Sequence, residues 1–539
     1  MRRALIMLVL AIFCATCGVL AGCDDDDGAP TAIDEISDID DDTDAECDDD
    51  AIDDDDNNDD NDTDDDTIDD DDTSPLPDDY LAPWPQSNIE TPDYDESPPA
   101  GPLRAKAVAY DDWYDQWHAP EYGGTLTAYF TDETRSTVDA YHHWADSCIW
   151  TSTYAVSQMM RYHVTAESEA KQQATRAVET LLDQADITDV PGLIARYYGP
   201  QEATHPGHVN WIYEGDQWCD LPEQERCYHI ESGPYAGDFW WGGTSRDQYT
   251  GWLFAMSYAF DLLDDEDLRD RLATTVVRVL HELMDNHWLI KDPDGRPTDA
   301  APNVLPSQQL VWLTIGYHVS GDQRIAAELK ERLRNDFRLT LRIIGVNFLN
   351  RYLQYYGNNL GHMNWYTLLR LARVYFSDED YQWFRAFFSD VEHSFARLSH
   401  NAWFTTVYMA VGDWEPISPE DPFAMQMVGD LEDFRDAPNF QYFLPDRDPA
   451  TYELDILSVW MTDLVEAFPF LGDIMGEPEY QAKYAFPVPE QCSTDFLWQR
   501  NPFQIYECGR DRPQRVYPGV DYLVAYWAAA YHKFIDKDL

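Results

Sequence analysis

Five short polar clusters punctuate the apolar stretches of this chain, and they hold the side chains best suited to chemistry. They are His142-His143-Trp144-Ala145-Asp146, Thr244-Ser245-Arg246-Asp247-Gln248-Tyr249, Asn358-Asn359-Leu360-Gly361-His362-Met363-Asn364-Trp365, Ser399-His400-Asn401 and Pro518-Gly519-Val520-Asp521-Tyr522. Each stands just before an apolar run with helical character. Two chemistries fit such a set. Hydrolysis of a glycosidic bond needs two carboxyls, one of them kept protonated as the general acid; Asp146 and Asp247 are the natural pair. Elimination from a uronic acid needs a base and groups that neutralise the sugar carboxylate. Tyr249 or His362 could be that base, with Arg246 and Asn364 facing the carboxylate. His143, Trp144, Asn359, Trp365, His400 and Asn401 complete the set as substrate contacts, and the aromatic rings among them offer flat faces to sugars. The clusters hold more Asn, His, Tyr and Arg than Glu, which leans toward elimination. A strongly acidic protein repels polyanions at long range, which leans away from it. Both chemistries stay open at this level.

Every cluster also has a plainer use. Asp247 and Asp521 suit a helix N-cap or first turn, and Asn358, Asn359 and Asn401 suit caps or turns. His163 and His318 occupy matching positions at the far ends of their helices and read as structural. Asp292-Pro293-Asp294-Gly295 is better as a hairpin turn within Leu289–Thr298 than as half of a calcium loop. Ser245 lacks the GxSxG setting of a serine nucleophile. No CxxC pair points to zinc, and no cofactor or metal is expected.

The elements that carry these clusters alternate. An apolar, aromatic-rich helix ends in a short polar turn, and a charged amphipathic helix follows. The pattern appears at Arg161–Thr165 before Glu167, Ala259–Leu263 before Asp264, Gly316–Ser320 before Gly321-Asp322, Arg373–Ser377 before Asp378, and Val407–Val411 before Gly412-Asp413. A helix that is apolar all round is buried, and one with a charged face lies outside. A sixth inner helix fits Val520–Tyr531. Residues 101–539 therefore read as an all-α domain with few short strands, and Tyr198–Gly243 as a long functional loop. The alternation resembles the (α/α)6 barrel, or six-hairpin toroid. That resemblance implies that the inner helices run parallel, that the five clusters meet at one mouth, and that the domain acts on glycans. Helix N-termini converging there would favour anionic groups.

Composition separates this domain from what precedes it. The chain has 539 residues and a formal net charge of -66. About half of that charge lies in the first hundred residues, where about 35 acidic side chains face only Arg2 and Arg3. Residues 23–100 cannot bury enough apolar surface to offset their chain entropy, and their like charges extend them, so they read as a disordered tether. The acidity of the whole argues against nucleic-acid binding. Cys219/Cys227 and Cys492/Cys508 are spaced as two local disulfides of an oxidising compartment, and Cys148 as a buried thiol.

The N-terminus supplies the remaining element. Arg2 and Arg3 precede an uncharged apolar run, Ala4–Leu20, which is short for a membrane span and reads as a cleaved signal over residues 1–22. Leu20-Ala21-Gly22-Cys23 resembles the lipobox of bacterial lipoproteins. The resemblance implies acylation of Cys23, anchoring in a bacterial membrane through that lipid, and a domain held in the periplasm or at the cell surface. The expectation is thus a membrane-anchored carbohydrate-active enzyme, hydrolase or lyase. The alternative is a surface lipoprotein that binds a glycan or a protein without catalysis.

Overall fold

The computed structural model describes residues 80–84, 100–201, 226–298, 306–334, 351–352, 355–415, 421–445, 447–469, 479–492, 496–505 and 512–535. The signal segment, Cys23 and the tether up to residue 79 lie outside them, as do Cys219 and Cys508.

The described chain is mostly helical. Six helices carry almost continuous apolar sequence: α2 (Ser147–Thr165), α4 (Arg246–Leu262), α6 (Pro306–Ser320), α8 (Tyr356–Tyr375), α11 (Ala402–Val411) and α14 (Val520–Tyr531). They are buried on nearly every side, as their composition requires. Between them run amphipathic helices: α1 (Pro102–Trp113), α3 (Ser168–Asp186), α5 (Glu266–Asp285), α7 (Gln323–Arg332), α9 (Asp378–Phe387) and α12 (Pro422–Asp433). A short helix α10 (His393–Ala396) and α13 (Ile456–Ala467) complete the set. In α3 the buried positions Ala174, Ala177, Val178, Leu181 and Leu182 recur at three- and four-residue steps, so one stripe faces inward.

Three of the five polar turns carry a side-chain cap. Asp265 accepts from Leu268 N at 3.0 Å, Asp322 from Ile325 N at 2.9 Å and Ser377 from Asp380 N at 3.1 Å. Each satisfies a donor that the first turn leaves unpaired. At these three places the punctuation in the sequence is the start signal of an outer helix.

Neighbouring inner helices pack in sequence: α2 on α4, α4 on α6, α6 on α8, α8 on α11, α11 on α14, and α14 on α2. They run in the same direction. Near the starts of α2 and α4, the backbones approach so closely that a Cβ at Gly251 would lie 2.9 Å from Ile149 Cα. At the ends of α4, α6 and α8, Asp261, His318 and Tyr375 touch one another. At the ends of α2 and α14, the rings of His163 and Tyr531 lie 5.0 Å apart. Outer helices back onto this group: α3 on α2, α5 and α7 on α6, α9 on α8, α12 on α11 and α1 on α14.

Two small sheets were not foreseen. β1 (Thr127–Phe130), β2 (Val138–His142), β6 (Asn439–Gln441) and β7 (Arg512–Tyr517) form an antiparallel sheet of order β2-β1-β7-β6. β3 (Tyr197–Pro200), β4 (Cys227–His229) and β5 (Asp238–Trp241) form a second, of order β3-β5-β4. Within the range read as a long loop, residues 198–200, 227–229 and 238–241 are strand, and residues 202–225 lie outside those described. Alternate residues of this sheet bury Tyr197, Phe239 and Trp241 against Trp144. The expected turn near Asp294-Gly295 is present with a single bridge, Lys291 to Pro297.

The tether also contributes to the fold. Residues 80–84, expected to be disordered, lie across the ends of α6 and α8. Ala82 N donates to Tyr375 O at 3.0 Å, Trp84 Nε1 to His318 O at 2.9 Å, and Tyr317 Oη to Ala82 O at 3.0 Å, while Leu81 enters the main core. Four buried-strap contacts of this kind offset the ordering cost that composition alone leaves unmet. No helix among the described residues is long and apolar enough to cross a membrane.

Candidate functional site

The starts of α2 and α4 carry a knot of charge. A 3-10 turn, Trp144–Asp146, leads into α2. Ser245 precedes α4, where Gln248 Oε1 accepts from both the Ser245 backbone N at 2.9 Å and the Ser245 hydroxyl at 2.6 Å. Gln248 Nε2 then donates to Ala145 O at 3.0 Å, which joins the two helix starts. Arg196, just before β3, reaches between them. Its Nε donates to Gly243 O at 3.0 Å and its NH1 to Ala145 O at 3.4 Å. Asp146, Asp247 and Asp292 all act on this guanidinium, and Arg226 opposes them; burial outweighs the carboxylates and lowers the Arg196 pKa below the ordinary range.

Asp247 is half-buried, with 22% of its side chain exposed and Arg246 3.9 Å away. Burial raises its pKa above the usual carboxylate range, although Arg246 and Arg196 both pull it down. Desolvation thus wins over two cations and a helix N-terminus. Asp292, whose Oδ1 accepts from Gly243 N at 3.2 Å, is also raised by burial. A carboxyl with a raised pKa beside a guanidinium is a candidate for acid–base chemistry.

Of the expected set, Asp146 stands in the turn before α2 and Arg246 and Asp247 in the first turn of α4, and both carboxylates act on Arg196. Other residues of the set are elsewhere. Tyr249 is fully buried and donates to Gly192 O at 2.6 Å, and burial carries its phenol far above the ordinary range. His362 stacks on Phe404 at 3.9 Å; its Nδ1 lies 2.7 Å from Asn358 O and its Nε2 3.2 Å from His393 Nδ1. Burial lowers His362 to about 4, so the ring is neutral. Trp144, at 4% exposure, packs edge-on against Tyr197, and Trp365, at 5%, packs among Phe384, Phe387 and Phe388. Placed so, neither indole presents a face to solvent. Asn359 is buried on α8, and Asn364 lies half-buried on the same helix.

His143, with a positive φ of 65°, accepts Arg515 NH2 at 2.7 Å and contacts Thr127 Oγ1 at 3.2 Å. Asn401 is the N-cap of α11, accepting from Phe404 N at 3.0 Å, which is the plainer role open to it. His400 Nδ1 pairs with Asp430 Oδ1 at 2.8 Å, and that bond raises the imidazole pKa. Asp521 accepts from Leu497 N at 2.8 Å and from Tyr522 N at 3.1 Å. A hollow of about 180 Å³ lies nearby rather than at the charged knot, lined by Asp433, Arg435, Tyr442, Val488 and Leu497 among others.

Arg196, Arg226 and Asp292 were not singled out as site residues. The signal for Arg196 is a lone cation in the apolar run Leu193-Ile194-Ala195-Arg196-Tyr197-Tyr198. Such a residue must find partners when buried. Cys227 and Cys492 are each disulfide-bonded, and Cys148 is a free buried thiol. Their expected partners, Cys219 and Cys508, lie outside the described residues. Among the described residues, no group of three or more His, Cys, Asp or Glu side chains is arranged to hold a metal. The chain matches no protein-family model, no curated protein and no solved structure.

Proposed function

We propose that residues 101–539 form a six-hairpin toroid that hydrolyses glycosidic bonds where α2 and α4 begin, and that Cys23 tethers it through lipid to a bacterial membrane. The toroid reading is supported by the order of neighbours among α2, α4, α6, α8, α11 and α14 and by their common direction. The observation that supports the chemistry is that Gln248 joins the starts of α2 and α4 through Ala145 O, where Asp146 and Asp247 stand and both act on Arg196, with Asp247 raised by burial.

In this mechanism Asp247 donates its proton to the departing glycosidic oxygen. Asp146 then serves as the second carboxylate, as base toward water or as nucleophile at the sugar carbon. Arg196 supplies a fixed positive charge beside whichever carboxylate is ionised. Hydrolysis is favoured over elimination because Tyr249 and His362, the candidate bases, are both committed to core contacts. Export and anchoring rest on residues 1–23, the signal segment and its lipobox, alone.

A second reading has its own observation. Arg196 and Gln248 tie Ala145, Gly243 and the start of α4 together, so the knot can be a structural joint of a glycan- or protein-binding surface lipoprotein. The test is a glycan panel with the purified full chain, scored for reducing ends and for the ultraviolet absorbance of unsaturated products. Hydrolysis predicts reducing ends without that absorbance, and a loss of about 10²–10⁴-fold for Asp247→Asn in a folded protein. Glycan binding without turnover would replace the first reading by the second.

A further inference from the structure

The chain turns from α12 into β6 through Phe434–Pro438, and α1 holds this turn from behind. Lys106 Nζ donates to Leu431 O at 3.2 Å and to Glu432 O at 2.9 Å, satisfying carbonyls that the last turn of α12 leaves open. The Tyr110 hydroxyl donates to Arg435 O at 2.6 Å, which fixes the Arg435 backbone. The side chain of Arg435 is held as well. Its guanidinium carbon lies 4.0 Å from the centroid of the Tyr442 ring and 4.5 Å from that of Phe440, and NH1 donates to Phe440 O at 3.2 Å. Stacking on aromatic rings sets the plane of the guanidinium fork.

Most of that fork is unused. The bond to Phe440 O takes one of its N–H donors, and no carboxylate among the described residues pairs with it. Arg435 lines the hollow of about 180 Å³, together with Asn439, Asp433 and the buried apolar side chains of Phe434, Val488 and Leu497. Asn439, at the head of β6, is only 6% exposed, and its side-chain amide has no hydrogen-bond partner among the described residues. An amide so buried is costly unless a polar group in the hollow meets it. A small apolar hollow with a fixed cation and a free amide has the makings of a ligand site.

We infer that this hollow binds a small monocarboxylate, whose oxygens accept from the remaining Arg435 donors and the Asn439 amide while its apolar body rests on Phe434, Val488 and Leu497. A planar fork matches a carboxylate with two parallel hydrogen bonds. The hollow has the volume of about six water molecules, which limits the ligand to a single ring or a short chain. Asp433, exposed in the lining, opposes a second negative charge on the ligand, and so does the net charge of -66. None of these residues belongs to the Asp146–Asp247–Arg196 knot, and the inference does not depend on the hydrolase reading.

The test is calorimetric titration of the full chain with benzoate and with benzyl alcohol, an uncharged analogue of the same ring. Benzoate is expected to saturate one site per chain and to bind at least about 10-fold tighter than the alcohol, the difference that charge-assisted hydrogen bonds supply. Arg435→Gln should abolish that preference. Arg135→Gln removes a second guanidinium, 4.9 Å from the Phe440 ring, and should leave the preference unchanged. The inference is overturned if folded protein shows no saturable benzoate binding, if the two probes bind equally, or if folded Arg435→Gln keeps the preference. Should that variant not fold, labelling of the parent chain reads the same contact. Benzoate is expected to slow the reaction of phenylglyoxal with Arg435 but not with Arg135, scored by mass spectrometry of the peptides. Undiminished labelling of Arg435 at saturating benzoate would overturn the inference.

Discussion

His318 Nε2 lies 2.9 Å from Asp261 Oδ1 and binds the end of α6 to the end of α4. Both side chains are buried, at 5% and 2% exposure. His318 Nδ1 continues to the Tyr375 hydroxyl at 3.0 Å, and Arg370 adds its guanidinium to Asp261 and to Ser257 Oγ. Burial alone would raise the Asp261 carboxyl, but Arg370 and His318 outweigh it and hold it below the usual range. Removing one partner of a buried pair leaves the others uncompensated, which costs about 3–5 kcal/mol. Asp261→Asn is therefore expected to lower stability by that order in urea unfolding, far from the candidate site. A loss below about 1 kcal/mol would show that the network contributes little.

The same carboxylate sets one limit on acid stability, and buried histidines set another. Burial lowers His118 and His362 to about 4. In the unfolded chain each takes up its proton near 6.5, so the unfolded state binds more protons between those values. Stability from each neutral ring is complete above about 6.5 and is lost as pH falls toward 4, on the order of 3 kcal/mol at most. Asp261, depressed in the fold, adds a further loss below about 4. The melting midpoint should fall through this window, and His362→Gln should flatten its slope. An unchanged slope in that variant would place the sensitivity elsewhere.

Much of the fold was legible in the sequence. The runs Trp252–Phe260 and Val520–Tyr531 read as inner helices because apolar residues occupy nearly every face, and the Asp and Ser residues after such runs marked where outer helices start. The sheets were not legible. β1 pairs with β7 from the far end of the chain, Ala128 opposite Val516, and single strands of three to six residues carry too little period-two pattern to declare a partner. The residues around the charged knot were legible in part. Asp146 and Asp247 stood out because each is a carboxylate at the head of an apolar helix. Arg196 did not, because its role depends on a contact with Gly243 and Ala145 that no spacing encodes. Trp144 and Trp365 were read as faces for sugars, yet aromatic residues beside a polar cluster serve the core equally well.

The strap at residues 80–84 makes Gly321 a sensitive position. Gly321 has a φ of +65°, and a Cβ there would lie 2.5 Å from the Trp84 ring. Gly321→Val combines backbone strain with displacement of the indole, at a cost of about 1–3 kcal/mol. It should release the strap, and so should Trp84→Ala, which leaves the backbone unstrained. Limited proteolysis is expected to cut near residue 84 in both variants and not in the parent chain. Equal resistance in all three would mean that the strap does not depend on Trp84.

The pH profile of catalysis should follow Asp247. As the general acid it must carry a proton, so activity falls as pH rises through its pKa, which burial has moved upward. Arg246 and Arg196 both favour the ionised carboxylate and so restrain that shift. Arg246→Met removes one of these cations from 3.9 Å away. The ionised form of Asp247 then loses support, its pKa rises further, and the alkaline limb of kcat/KM moves to higher pH. The limb belongs to the free enzyme, so substrate binding does not confuse the reading. A limb that stays in place, or moves to lower pH, would mean that some other group donates the proton, and Asp146 would then be the carboxyl to examine by the same substitution of its neighbours.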